Sequence, residues 1–72
     1  MYYYKRLRDL REDNDLTQES VAKILNTTRQ QYARWENGKQ EMPMHNFKIL
    51  ANFYNVSLDY LADLTNEAKK LK

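Results

Sequence analysis

Only Asn26 and Thr27 separate two stretches that both read as helix, and a link that short prevents the pair from folding back side by side. The two helices must cross steeply. The upstream stretch opens on Thr17 as an N-cap and runs from Gln18 to about Leu25, with Val21, Ala22, Ile24 and Leu25 on a single side. The downstream stretch opens on an S/T-x-x-E/Q capping box, in which the Thr28 hydroxyl accepts the Gln31 amide and the Gln31 side chain reaches back. That helix therefore starts at Arg29. At 100° per residue, Arg29, Gln30, Ala33, Arg34 and Asn37 share one side, and Tyr32 and Trp35 fall on the other. One face is polar and open; the other belongs to a core.

The rest of the chain supplies that core. Seventy-two residues hold one domain, and a chain this short buries only about 60% of its unfolded surface. Its hydrophobic content of 42%, with six Tyr, two Phe and one Trp, nevertheless excludes a disordered tail. A first helix from about Tyr3 to Asp13 aligns Tyr3, Leu7 and Leu10 at i, i+4, i+7. Of the tyrosines at the start, one ring packs in the core and the others cover surface. Asp13-Asn14-Asp15 ends this helix, because Asn and Asp tolerate the left-handed conformation a stop needs, and Leu16 drops back inward. Asn37-Gly38 stops the third helix, and Lys39 to Glu41 form a polar linker. Pro43 sits in the first turn of a fourth helix reaching Tyr54, whose buried stripe is Met44, Phe47, Leu50, Ala51 and Tyr54. Asn55 ends it, and Ser57 caps a fifth helix carrying Leu58, Leu61 and Leu64. No strand signal or repeat interrupts the pattern. The expectation is an all-α bundle over residues 1–64 with a charged tail over 65–72.

Two helices joined by so short a turn have the geometry of a helix-turn-helix, and the open face of the second carries suitable chemistry. Arg presents a fork of donors that matches guanine, and the Gln amide matches adenine, so Arg29, Gln30 and Arg34 are candidate base readers in a major groove. Ala33 lets the backbone come close, and its methyl or that of Thr28 can touch a thymine methyl. Gln18 stands in the first turn of the second helix, where free amides and the positive dipole end favour a phosphate. Thr28, Gln31, Asn37 and Lys39 complete the candidate phosphate clamp, with the backbone amides of Asn37 and Gly38 as additional donors. Lys5, Arg6 and Arg8 either reach phosphates or, alternating with Asp9, Glu12 and Asp13, form a solvated face. Tyr32 and Trp35 have the spacing of a buried face, not of a base-stacking platform.

Other classes of function lack their residues. There is no cysteine, hence no disulfide, thiol catalysis or cysteine zinc site, and the lone His45 has no partner for a metal and faces solvent. No glycine-rich phosphate loop or apolar carboxylate pair suggests an enzyme, and no cofactor is implied. A net charge of +2 is only mildly basic. Signal peptides and membrane spans are not evident, so a cytoplasmic protein is expected.

The segments LRDLRE, LTQESVAKIL, NTTRQQYARWENGK and ILANFYNVSLDYL, taken together at these spacings, resemble the phage repressor and Cro family of helix-turn-helix regulators, also called the xenobiotic-response-element family. The resemblance covers nearly everything from Arg6 to Asp63. It implies a compact five-helix bundle of the lambda-repressor-like type, a third helix that enters the major groove, and Gln18 gripping a phosphate. It also implies a structural pair between Arg11 and Glu36. The chain departs from the family in having Asp15, Asn26 and Asn55 where glycine is usual, and Ser20 where a capping-box Glu is frequent. These substitutes tolerate positive φ best among non-glycine residues, so the turns should survive.

The expected function is sequence-specific binding of double-stranded DNA as a transcriptional regulator. A repressor is favoured, because the 72 residues include no activation or ligand-sensing domain. One module reads few base pairs, which argues for a homodimer on a palindrome with recognition helices about 34 Å apart. Ile49, Phe53 and Tyr60 lie outside the main apolar stripes and either form the dimer face or cover the bundle's own flank. The alternative is a protein-interaction module, such as an antitoxin that binds a protein partner and regulates its own operon.

Overall fold

The computed structural model describes residues 4–62, which form α1 (Lys5–Asp13), α2 (Gln18–Ile24), α3 (Arg29–Glu36), α4 (Met44–Tyr54) and α5 (Leu58–Leu61). Among the described residues there is no strand. The first-turn tyrosine Tyr3, the core candidate Leu64 and the segment 65–72 lie outside them.

Local chemistry accounts for where the helices begin. Thr17, Thr28 and Ser57 each hold an extended backbone and accept the amide of the residue three further on, at 3.0 Å from Ser20, 3.1 Å from Gln31 and 3.1 Å from Tyr60. Ser20 adds a hydroxyl contact to Thr17 at 2.8 Å, so the cap of α2 keeps its bond without a glutamate. Tyr4 and Pro43 precede α1 and α4 with no side-chain cap.

One device ends four of the five helices. Asp15, Asn26, Gly38 and Asn55 all adopt positive φ, between 56° and 77°. Each donates its amide to the carbonyl three residues back: Glu12, Lys23, Trp35 and Asn52. The next residue in each case, Leu16, Thr27, Lys39 or Val56, donates to the carbonyl five residues back. This paired 5→2 and 6→1 arrangement satisfies the carbonyls that a helix end leaves over and turns the chain sharply. Leu16 and Val56 then enter or border the core. Asn and Asp do the work of glycine at three of the four turns.

The core lies where the helices meet. Leu7, Val21, Tyr32, Leu50 and Leu61 are fully enclosed, one from each helix. Trp35 and Phe47 close the sides, and Tyr4 packs edge-on against Phe47 with ring centroids 4.9 Å apart. Ile24 is only half-buried. The two methionines flanking Pro43 exchange the roles their spacing suggests. Pro43 is extended at ψ 145° and sits just before α4 rather than in its first turn, so Met44 opens the helix pointing outward and is 60% exposed, while Met42 is buried. Among the described residues, Asn46 and Glu36 are the buried polar ones.

Candidate nucleic-acid interface

The Asn26 stop and the Thr28 cap stand almost back to back, so the turn from α2 into α3 has no slack. Thr27 donates to the Ala22 carbonyl at 2.9 Å, and Tyr32 donates to the Thr28 carbonyl at 3.0 Å. α3 is thereby set against α2 at a fixed angle. Its inner face carries the buried Tyr32, Trp35 and Glu36; Arg29, Gln30 and Arg34 are exposed, with Ala33 half-buried beneath them. The division of the helix follows the 100° periodicity of its sequence.

Glu36 anchors the inner face by charge. Arg11 in α1 binds it through both tines of its fork, Nε to Oε2 at 2.9 Å and Nη2 to Oε1 at 3.1 Å. The remaining arm of Arg11, Nη1, donates to the Leu16 carbonyl at 2.9 Å. A third helix joins through Gln18, whose Nε2 donates to Glu36 Oε1 at 3.3 Å. Burial alone raises the pKa of this carboxyl, but the hydrogen bonds from Arg11, the nearby Tyr32 hydroxyl, the Arg11 charge and the Gln18 amide together hold it below the usual carboxylate range. The Arg11 guanidinium is raised in return, foremost by its bonds to Glu36. Tyr32 and Tyr54 have buried hydroxyls with no hydrogen-bond partner. Burial, reinforced by the Glu36 carboxylate, pushes the Tyr32 phenol up and the Tyr54 phenol up to about 12.

The candidate phosphate clamp is partly as the sequence suggests. Thr28, Asn37 and Lys39 are exposed, and Gln18 and Gln31 are half-buried. Gln18 is not a loose first-turn side chain, because its amide nitrogen already leans on Glu36; two hydrogens on that nitrogen leave one for another acceptor. Gln31 does not reach back to Thr28. Its Nε2 donates forward to Gln40 Oε1 at 2.7 Å, and its Oε1 accepts from Arg34 Nη1 at 3.3 Å. The backbone amides expected as donors at Asn37 and Gly38 are spent on the Ala33 and Trp35 carbonyls, as part of the helix stop. Of the basic residues on α1, Arg6 lies over the Tyr60 ring at 4.0 Å and donates to the Tyr60 carbonyl at 3.0 Å, and Arg8 pairs with Glu12 in an exposed i,i+4 bridge.

Gln40 escaped the sequence reading because it lies outside any helix. The left-handed Gly38 reverses the chain and returns position 40 to the flank of α3, a consequence of the stop that no helical wheel displays. On α4 and α5, Phe53 is 48% exposed, whereas Ile49 and Tyr60 are half-buried against the core. His45 is exposed, no group of three His, Asp or Glu among the described residues can hold a metal, and no described helix is long and apolar enough to cross a membrane.

Comparison with known proteins agrees with this geometry. The family described as helix-turn-helix matches residues 7–61. An uncharacterised HTH-type transcriptional regulator of Bacillus subtilis (strain 168), YobD, is 35% identical over 65 residues, covering 90% of this chain and 58% of that protein. The HTH-type transcriptional activator BcrR of Enterococcus faecalis is 34% identical over 61 residues, 85% of this chain and 30% of its own. The cryptic phage CTXphi transcriptional repressor RstR of Vibrio cholerae is 35% identical over 72 residues, 97% of this chain and 65% of its own. The chain thus spans less than two thirds of each of these relatives, and their names are those of regulators, not enzymes. No solved structure matches it at a significant level. The chain belongs to the helix-turn-helix family of transcriptional regulators, of the phage repressor and Cro type.

Proposed function

We propose that this protein binds double-stranded DNA sequence-specifically by laying α3 in the major groove, and that it acts as a repressor. The observation that carries this reading is the separation of α3 into a buried face and a face of exposed Arg29, Gln30 and Arg34, fixed to α2 by a turn without slack. Arg29 and Gln30 open the helix, where recognition helices address base edges, and each good bidentate contact is worth about 1–3 kcal/mol of discrimination. Ala33 leaves room for the backbone to approach. Gln18, Thr28, Gln31, Asn37 and Lys39 contact the phosphates that set the register. Repression is supported by RstR, a named repressor matched over 65% of its length, against 30% for the named activator BcrR.

The DNA-bound form is a homodimer on a palindrome. Phe53 is exposed on α4 with Ile49 one turn before it, and this pair, with Tyr60 of α5 at the edge, is the face through which two copies meet. The test is selection of binding sites from a random duplex library, with Arg29→Ala and Arg34→Ala in parallel. An enriched palindrome that loses information at different positions in the two variants is the expected result. Binding without enrichment, weak and steeply dependent on salt, would show phosphate contact without reading and refute the proposal.

A further inference from the structure

A closed ring of hydrogen bonds surrounds the base-facing arginine of α3. The Arg34 carbonyl accepts the Gln40 amide at 3.2 Å, alongside the Lys39 amide at 2.9 Å, which seats the post-helix loop. The Gln40 side chain accepts Gln31 Nε2 at 2.7 Å, and Gln31 Oε1 accepts Arg34 Nη1 at 3.3 Å. Arginine has no acceptor, so the polarity of the ring is fixed: Arg34 donates to Gln31, which must donate to Gln40. Arg34 and Gln31 are i,i+3 neighbours on one side of α3, whereas Gln40 is brought to them by the Gly38 reversal.

We infer that Gln40 is a positioning residue for base recognition, acting through Gln31 to fix the direction of the Arg34 guanidinium. An unrestrained arginine has many rotamers and reaches several base edges. Holding one hydrogen of Nη1 narrows these and leaves the remaining donors of the fork aimed at a single base, so the entropy of ordering the side chain is met before DNA arrives. Gln40 itself touches no base. This inference rests on α3 being the reading helix, and it adds that the loop after α3 sets how sharply the Arg34 position discriminates.

The experiment compares wild type, Gln40→Ala and Gln40→Glu on the selected duplex and on duplexes altered at the base pair that Arg34→Ala identifies. Gln40 is exposed and outside the helices, so thermal melts of the variants should overlay wild type. Gln40→Ala should lower discrimination at that one base pair by about three- to tenfold, a part of the full value of a bidentate contact, with other positions and non-specific affinity unchanged. Gln40→Glu keeps the acceptor and should retain discrimination. Unchanged discrimination in Gln40→Ala, a uniform loss across all sequences, or equal loss in both variants would overturn the inference while leaving α3 as the reader. Absence of any base-pair preference in wild type would remove the reading helix itself, and this inference with it.

Discussion

At the scale of single residues, stability concentrates at Glu36. Its carboxylate is almost wholly enclosed and is shared by Arg11 and Gln18, so removing one partner leaves a buried charge uncompensated. Arg11→Leu should cost about 3–5 kcal/mol in urea unfolding, whereas the double variant Arg11→Met, Glu36→Leu should recover most of it, because an apolar pair of similar volume needs no compensation. The pH dependence has a definite sign. The folded pKa of Glu36 lies below the ordinary 4.5, so its contribution is complete above that value and drains as pH falls through the lower folded one. Melting temperature should therefore decline on acidification, and Glu36→Gln should flatten the decline. The Tyr32 hydroxyl, buried beside the Glu36 carboxylate that it helps keep ionised, gives a third test: Tyr32→Phe should cost up to about 1 kcal/mol in urea unfolding and start the acid decline in melting temperature at higher pH. The Arg11–Glu36 pair at the centre of this cluster is the one the family resemblance implies, but the share of Gln18 in it could not be read from the wheel. Gln18 is eighteen positions from Glu36, and only the crossing of α2 over α3 brings the two together.

At the scale of elements, the shared helix stop decides what is tolerated. Asn55 holds φ 59° with its amide and that of Val56 both donating backward, so a replacement must accept the left-handed region. Asn55→Gly should be neutral or stabilising by a few tenths of a kcal/mol, and Asn55→Ala should lose about 1 kcal/mol, both read from chemical denaturation. Helix identities and stops were legible in the sequence, because Asp15, Asn26, Gly38 and Asn55 each follow a periodic stretch. The start of α4 was not. Two methionines straddle Pro43, and periodicity alone favours Met44; the extended conformation at Pro43 decides in favour of Met42. The forward reach of Gln31 was equally hidden, since a capping box specifies what its glutamine can do locally and not what a returning loop offers it.

At the scale of the whole molecule, a small core leaves little stability in reserve, and the second copy of the proposed dimer would add buried surface. Phe53→Glu puts a charge on the exposed patch without disturbing the enclosed core. It should keep a cooperative melt while reducing the mass seen by sedimentation on a palindromic duplex from two copies to one. A melt as cooperative as wild type, with two copies still bound, would place the dimer face elsewhere. The division of α3 into two faces also bears on how such a protein diversifies. Arg29, Gln30 and Arg34 take no part in the core, so under the function we propose exchanging them would alter what is recognised at almost no cost in folding. Target preference can therefore drift faster than shape. On the positioning role we infer for Gln40, paralogues with the same core would come to ignore one another's sites where positions 31 and 40 change in step with 34.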